Sequence, residues 1–133
     1  MEMNNLVFVY GSLKTGGNIR GLDSFEGTEI VGRATTTYPD YNMLDLGSFP
    51  GVTMKGTDKI QGEVWRCDDE VMADLDSIEG YPEFYNRVRT ETTEGRAWMY
   101  YLDSDQYQSV TYPESNNIGL QEDILYWKLD RKS

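Results

Sequence analysis

The chain has 133 residues, the length of one domain able to bury its own core, and a formal charge of −11. That acidity argues against nucleic acid or an anionic membrane as partner, because phosphate would be repelled. There is no histidine, which excludes Ser-His and Cys-His catalysis and leaves few transition-metal ligand sets.

Acid–base chemistry must then come from carboxylates, tyrosines or lysines. Cys67 is the one cysteine. It rules out an internal disulfide, fits a reducing, cytoplasmic setting, and reads as a small half-buried residue at a strand end. Met1-Glu2-Met3-Asn4-Asn5 lacks the basic region of a signal peptide, and no segment approaches the ~20 apolar residues of a membrane span. Ten tyrosines and thirteen glycines with few long helical runs lean towards a β-dominated fold.

In chain order, Leu6-Val7-Phe8-Val9-Tyr10 is too short for a buried helix and, with two valines and two aromatics, predicts a buried strand. It runs directly into Gly11-Ser12-Leu13-Lys14, with Gly16 and Gly17 close behind. Such a loop either turns the chain or lets a ligand approach free backbone N–H groups. Asn18 to Phe25 is a short helix or an irregular turn. Ile30 to Thr37 and Tyr41 to Leu46 are strands, separated by Tyr38-Pro39-Asp40. Residues 47–51 form a loop. Val52 to Lys55 and Ile60 to Arg66 are two further strands flanking the turn residues Gly56-Thr57-Asp58-Lys59.

Asp68-Asp69-Glu70 opens the one clear helix, an aspartate cap followed by acids in the first turn. Val71, Met72, Leu75 and Ile78 share its apolar face, and Gly80 and Pro82 stop it. Tyr85 to Thr92 and Arg96 to Leu102 predict a hairpin around Thr93-Glu94-Gly95. Tyr107 to Tyr112 reads as an edge strand. The tail, with Ile124, Leu125 and Trp127, is expected to pack onto the body. The pattern is a single α+β domain over residues 1–133: a small, strongly bent mixed or antiparallel sheet or β-barrel with one main α-helix.

Glu79 stands out at the end of that helix. It faces the negative end of the dipole and shares a face with Asp76, and both effects raise a carboxyl pKa, as burial does. A raised carboxyl is what a general base working near neutrality needs. The alternative is an exposed surface glutamate in an acidic protein.

Two stretches together carry a family resemblance. Val9-Tyr10-Gly11-Ser12-Leu13 matches a Tyr-Gly-Ser/Thr-Leu loop. Leu75-Asp76-Ser77-Ile78-Glu79-Gly80-Tyr81-Pro82-Glu83-Phe84-Tyr85-Asn86-Arg87 matches a Leu-Asp-x-x-Glu-Gly-x-Pro-x-x-Tyr-x-Arg signature. The chain thereby resembles the γ-glutamylcyclotransferase-like superfamily, in particular its γ-glutamylamine cyclotransferase and AIG2-like branch, over most of residues 6 to 102.

The resemblance implies the family's fold and an intramolecular reaction without metal or cofactor. The α-amine of a γ-glutamyl group attacks its own side-chain carbonyl and releases 5-oxoproline and a free amine. It implies Glu79 as proton acceptor and the Tyr10-Gly11-Ser12-Leu13 loop as the binder of the γ-glutamyl group, largely through backbone N–H groups. Tyr85 would line the pocket and Arg87 would orient Glu79 or Asp76, although packing explains each equally well. Tyr126 is a candidate to close the site, and Lys14 and Arg20 are candidates to attract a carboxylate, with solvated loop charge as their default.

The competing readings are a related acyl transfer on a γ-glutamyl-tagged product, and a non-catalytic member that binds a small acidic ligand or a basic protein partner. The expected partner is a small-molecule γ-glutamyl substrate. The leaving amine and the oligomeric state are not legible in the sequence.

Overall fold

The N-terminal apolar run forms strand β1 (Asn5–Val9), and it is buried on both faces. Val7 and Val9 enter one core with Leu44, Trp65, Val71, Met72 and Leu75. Phe8 and then Tyr10 enter a second core with Met43, Val52, Ile60, Val64 and Met99. A strand covered on both sides has no polar face to alternate with, which is why its sequence is an unbroken apolar run.

The computed structural model describes residues 4–11, 26–103 and 109–128. The expected helix or turn over Asn18 to Phe25, the residues Ser12, Leu13, Lys14 and Arg20, and the start of the Tyr107 to Tyr112 strand lie outside the described residues. Of that last segment, Val110 makes an isolated bridge to Asp45.

The other elements are β2 (Thr28–Thr35), β3 (Tyr41–Asp45), β4 (Pro50–Cys67), α1 (Asp69–Ile78), β5 (Asn86–Thr92), β6 (Gly95–Tyr101), β7 (Ile118–Gln121) and β8 (Ile124–Trp127). The strands form one mixed sheet in the order β5-β6-β1-β4-β8-β7, with β2 and β3 also paired to β4. The β1–β6 and β4–β8 pairs are parallel, and the remaining ladders are antiparallel. The α+β class and the single helix agree with the sequence. The barrel does not: among the described residues β2 and β5 meet only end to end, through an isolated bridge between Thr36 and Thr92. The sheet is strongly bent but open.

β4 also corrects the expectation of two strands around a Gly56–Lys59 turn. It is one strand of 18 residues. Residues 54–57 bulge out of it, because Asn42 pairs with Thr53 while the adjacent Tyr41 pairs with Asp58. Gly56 is required at this bulge, where a Cβ would collide with the Tyr41 carbonyl oxygen. The bulge lets the first part of β4 serve β3 while the second part serves β1 and β2.

The β5–β6 hairpin forms as expected, pairing Arg87 with Tyr100 and Arg89 with Trp98. The tail packs through the β7–β8 hairpin, which buries Ile118, Leu125 and Trp127 in the second core. Cys67 is fully rather than half buried. Burial, with Asp68 and Asp69 adding to it, pushes its thiol up to about 12, so it stays a protonated core residue. Among the described residues no helix is long and apolar enough to cross a membrane.

Candidate active site

Helix α1 places Glu79 through both of its ends. At the start, the Asp68 carboxylate accepts from the Val71 N–H at 2.9 Å, capping the first turn. At the finish, Gly80 adopts φ 67°, its N–H bonds the Ser77 carbonyl, and the Tyr81 N–H reaches back to the carbonyl of Asp76. This closing pattern needs a residue in the left-handed region just past the cap, and glycine occupies it without strain. Glu79 is the C-cap itself, with its N–H held by Leu75 at 2.9 Å. Its backbone is therefore fixed, and only the side chain has freedom.

Glu79 lines a cavity of about 200 Å³. Four elements supply the wall: Phe8, Val9, Tyr10 and Gly11 from β1 and the residues after it, Phe49 and Pro50 from the β3–β4 turn, Ile78 and Glu79 from the end of α1, and Phe84, Tyr85 and Tyr100 from the β5–β6 side. Burial pushes the Glu79 carboxyl up from its ordinary 4.5 to about 7. Of the three causes the sequence suggested, burial is the one that acts here, not the helix end or Asp76. The Asp76 carboxylate is turned to other partners: the Tyr100 hydroxyl donates to it at 2.7 Å, and an Arg87 Nη1 lies 3.3 Å away.

Three tyrosines around the cavity have their hydroxyls engaged. Tyr10 donates to the Tyr100 carbonyl at 2.7 Å, Tyr85 donates to the Pro50 carbonyl at 2.6 Å, and Tyr100 bonds Asp76. Burial raises the Tyr10 hydroxyl pKa well above its ordinary value, with the charges of Tyr85 and Glu79 adding to it. Hydrogen-bonded in this way, the three phenols act as struts, and their rings present apolar surface to the cavity. Gly11 has a packing reason to be glycine: a Cβ there would lie 2.7 Å from the Pro50 ring.

Of the residues singled out in the sequence, Tyr10, Gly11, Glu79 and Tyr85 thus line one cavity. Ser12 and Leu13 lie outside the described residues. Arg87 is not part of the wall. Its guanidinium stacks 4.8 Å from the Tyr81 ring and 4.6 Å from the Trp98 ring while it engages Asp76. Tyr126 is not part of the wall either, since its ring packs over Gly119 in the β7–β8 hairpin. Sequence reasoning missed Phe49, Ile78 and Tyr100. Ile78 was assigned to the core face of α1, yet it is 47 % exposed at the cavity edge. An apolar residue adjoining the cap glutamate was the available signal. Among the described residues, no group of three or more Cys, Asp and Glu side chains converges to hold a metal ion.

A family model described as gamma-glutamyl cyclotransferase, AIG2-like, matches residues 7–118. The chain belongs to this family. Within the γ-glutamylcyclotransferase family, a Vibrio cholerae relative is 37% identical over 109 residues, covering 81% of this chain and 91% of its own length. The gamma-glutamylaminecyclotransferase of Bos taurus is 36% identical over 118 residues, covering 80% of this chain and 67% of its own. In three dimensions, an AIG2-like protein from Mus musculus superposes with a TM-score of 0.66 at 20% identity, covering 96% of this chain and 98% of that one. That last likeness is one of fold alone.

Proposed function

We propose that the protein is a γ-glutamyl(amine) cyclotransferase in which Glu79 is the general base and then the general acid. The observation that carries this reading is a buried-edge carboxyl with a pKa of about 7 on the wall of a cavity that Tyr10 and Gly11 also line. A carboxyl at that value is present in both protonation states near neutrality, which is the condition for taking one proton and returning it.

The ionised Glu79 removes a proton from the substrate α-ammonium. The freed amine attacks the γ-carbonyl carbon, forming the ring C–N bond and a tetrahedral oxyanion. As the oxyanion collapses and the bond to the leaving nitrogen breaks, Glu79 gives its proton to that nitrogen, then takes the extra proton from the ring nitrogen and hands it to the departing amine. 5-Oxoproline and a free amine leave, no water is consumed, and Glu79 ends as it began. Every bond made or broken is polar, so a proton shuttle and an oxyanion donor suffice.

Because nucleophile and electrophile share one molecule, the site's main task is to hold the folded-over conformer. Such positioning can supply roughly 7–11 kcal/mol. A well-aimed backbone N–H after β1 would add roughly 3–4 kcal/mol at the oxyanion. The reading takes further support from a bovine relative named for this reaction class.

The test is release of 5-oxoproline from a panel of γ-glutamyl amines and dipeptides. Turnover is expected with at least one amine, and Glu79→Gln is expected to lower kcat by roughly 10²–10⁴. Full activity in Glu79→Gln, or no 5-oxoproline from any substrate, would overturn the assignment.

A further inference from the structure

The wall of the cavity is graded in exposure, and the gradient separates two ends. Phe8 is 0 % exposed and Tyr100 3 %, while Phe49 is 36 % and Ile78 47 % exposed. The floor is closed and the rim is open, with half-buried Glu79 between them. A substrate bound with its γ-glutamyl group inside must project its amine portion past the rim.

The rim is apolar. Phe49 meets Phe84 edge to face at 6.2 Å, and Phe84 meets Tyr85 in the same way at 4.9 Å. Ile78 adds an aliphatic surface next to the cap glutamate. Among the described lining residues, Glu79 bears the one ionisable carboxyl, and the tyrosine hydroxyls are committed to Pro50, Tyr100 and Asp76. Arg87 is held away by Asp76, Tyr81 and Trp98. A second ammonium group on the leaving amine would therefore lose water at the rim and find, among the described lining residues, no carboxylate other than Glu79, which the proposed reaction itself uses. An alkyl or aryl group would bury apolar area against both rings and add an aromatic contact.

We propose that Phe49, Ile78 and Phe84 form a leaving-amine subsite selective for uncharged alkyl and arylalkyl amines. This deepens the cyclotransferase reading and rests on it for turnover. Phe49 is the specificity-determining residue most open to test, because its exposure means that trimming it leaves the core intact.

Steady-state kcat/KM is measured for the γ-glutamyl conjugates of methylamine, pentylamine, 1,5-diaminopentane and 2-phenylethylamine. Dissociation constants of the same conjugates are measured by calorimetry on Glu79→Gln. Pentylamine is expected to exceed its equally long diamine at least tenfold, and each methylene from methylamine upward to add roughly fourfold. Phe49→Ala is expected to lower the phenylethylamine conjugate at least tenfold more than the methylamine conjugate, and Phe49→Leu to restore part of the loss. Turnover with equal rates for pentylamine and the diamine overturns the subsite and leaves the cyclisation standing. Graded binding to Glu79→Gln without turnover by the native protein supports the subsite and overturns the cyclisation. Neither turnover nor binding by any conjugate overturns both.

Discussion

At the scale of single residues, Glu79 carries a stability cost that its proposed proton-transfer role would account for. Its carboxyl sits at about 7 in the fold against an ordinary 4.5, so the native state holds the proton more tightly than the unfolded chain does. Below about pH 4.5 both states are protonated and burial costs nothing extra. As pH rises the unfolded chain ionises first, and the penalty grows until the native carboxyl ionises near pH 7, where it is complete. At about 1.36 kcal/mol per pKa unit the full penalty is of order 3 kcal/mol. Glu79→Gln cannot ionise, so it is expected to melt several degrees above the native protein at pH 8 and together with it at pH 4. Calorimetric melting at both pH values checks this. An offset that does not change with pH would remove burial of the charge as its cause.

At the scale of elements, the end of α1 is tied to the β5–β6 hairpin by Asp76, Arg87 and Tyr100. The Asp76 and Arg87 side chains are 24 % and 22 % exposed, between the surface pairs worth about 0–1 kcal/mol and the buried pairs whose breakage costs about 3–5. Arg87→Ala is expected to lose about 2 kcal/mol, because it removes the ion pair and the stacks on Tyr81 and Trp98 and leaves Asp76 with the Tyr100 hydroxyl alone. Urea unfolding of Arg87→Ala, Asp76→Asn and the double variant should show a coupling above about 0.5 kcal/mol. Strict additivity would mean that the stacking, not the ion pair, joins the two elements. Helix α1 was legible because its signals are local: Asp68 caps it and Gly80 ends it within the same short stretch. The continuity of β4 was not legible. Gly56 looks like a turn residue, and its actual constraint is the backbone of Tyr41 on a neighbouring strand. The barrel expectation failed for a similar reason, since closure depends on whether β2 and β5 pair beyond the single Thr36–Thr92 bridge.

At the scale of the whole molecule, β4 is the spine, pairing with β1, β2, β3 and β8. The motif residues Tyr10, Gly11, Glu79 and Tyr85 could be read from the sequence because they cluster in two short signatures. Phe49 and Tyr100 could not, because only the folded sheet brings the β3–β4 turn and β6 beside them. The β7–β8 hairpin was recognised from the apolar content of the tail, but its weight in the fold comes from where it docks. β8 lies parallel to β4 at Lys59 and Ile60, and the hairpin places Ile118, Leu125 and Trp127 in the same core as Phe8, Ile60 and Met99. Emptying one such site costs about 2–5 kcal/mol. Three together approach the roughly 5–15 kcal/mol that holds a domain of this kind together. The hairpin also covers an edge of β4 that would otherwise offer unpaired backbone groups to another chain. A chain ended after Asn117 is therefore expected to lose cooperative unfolding and to aggregate, whereas Trp127→Ala in the full chain should keep a single transition lowered by about 3–5 kcal/mol. Far-UV circular dichroism during urea titration, with size-exclusion profiles of both proteins, checks the contrast. A shortened chain that does not aggregate and unfolds in one sharp transition would show that β1 to β6 close a sufficient core without the hairpin.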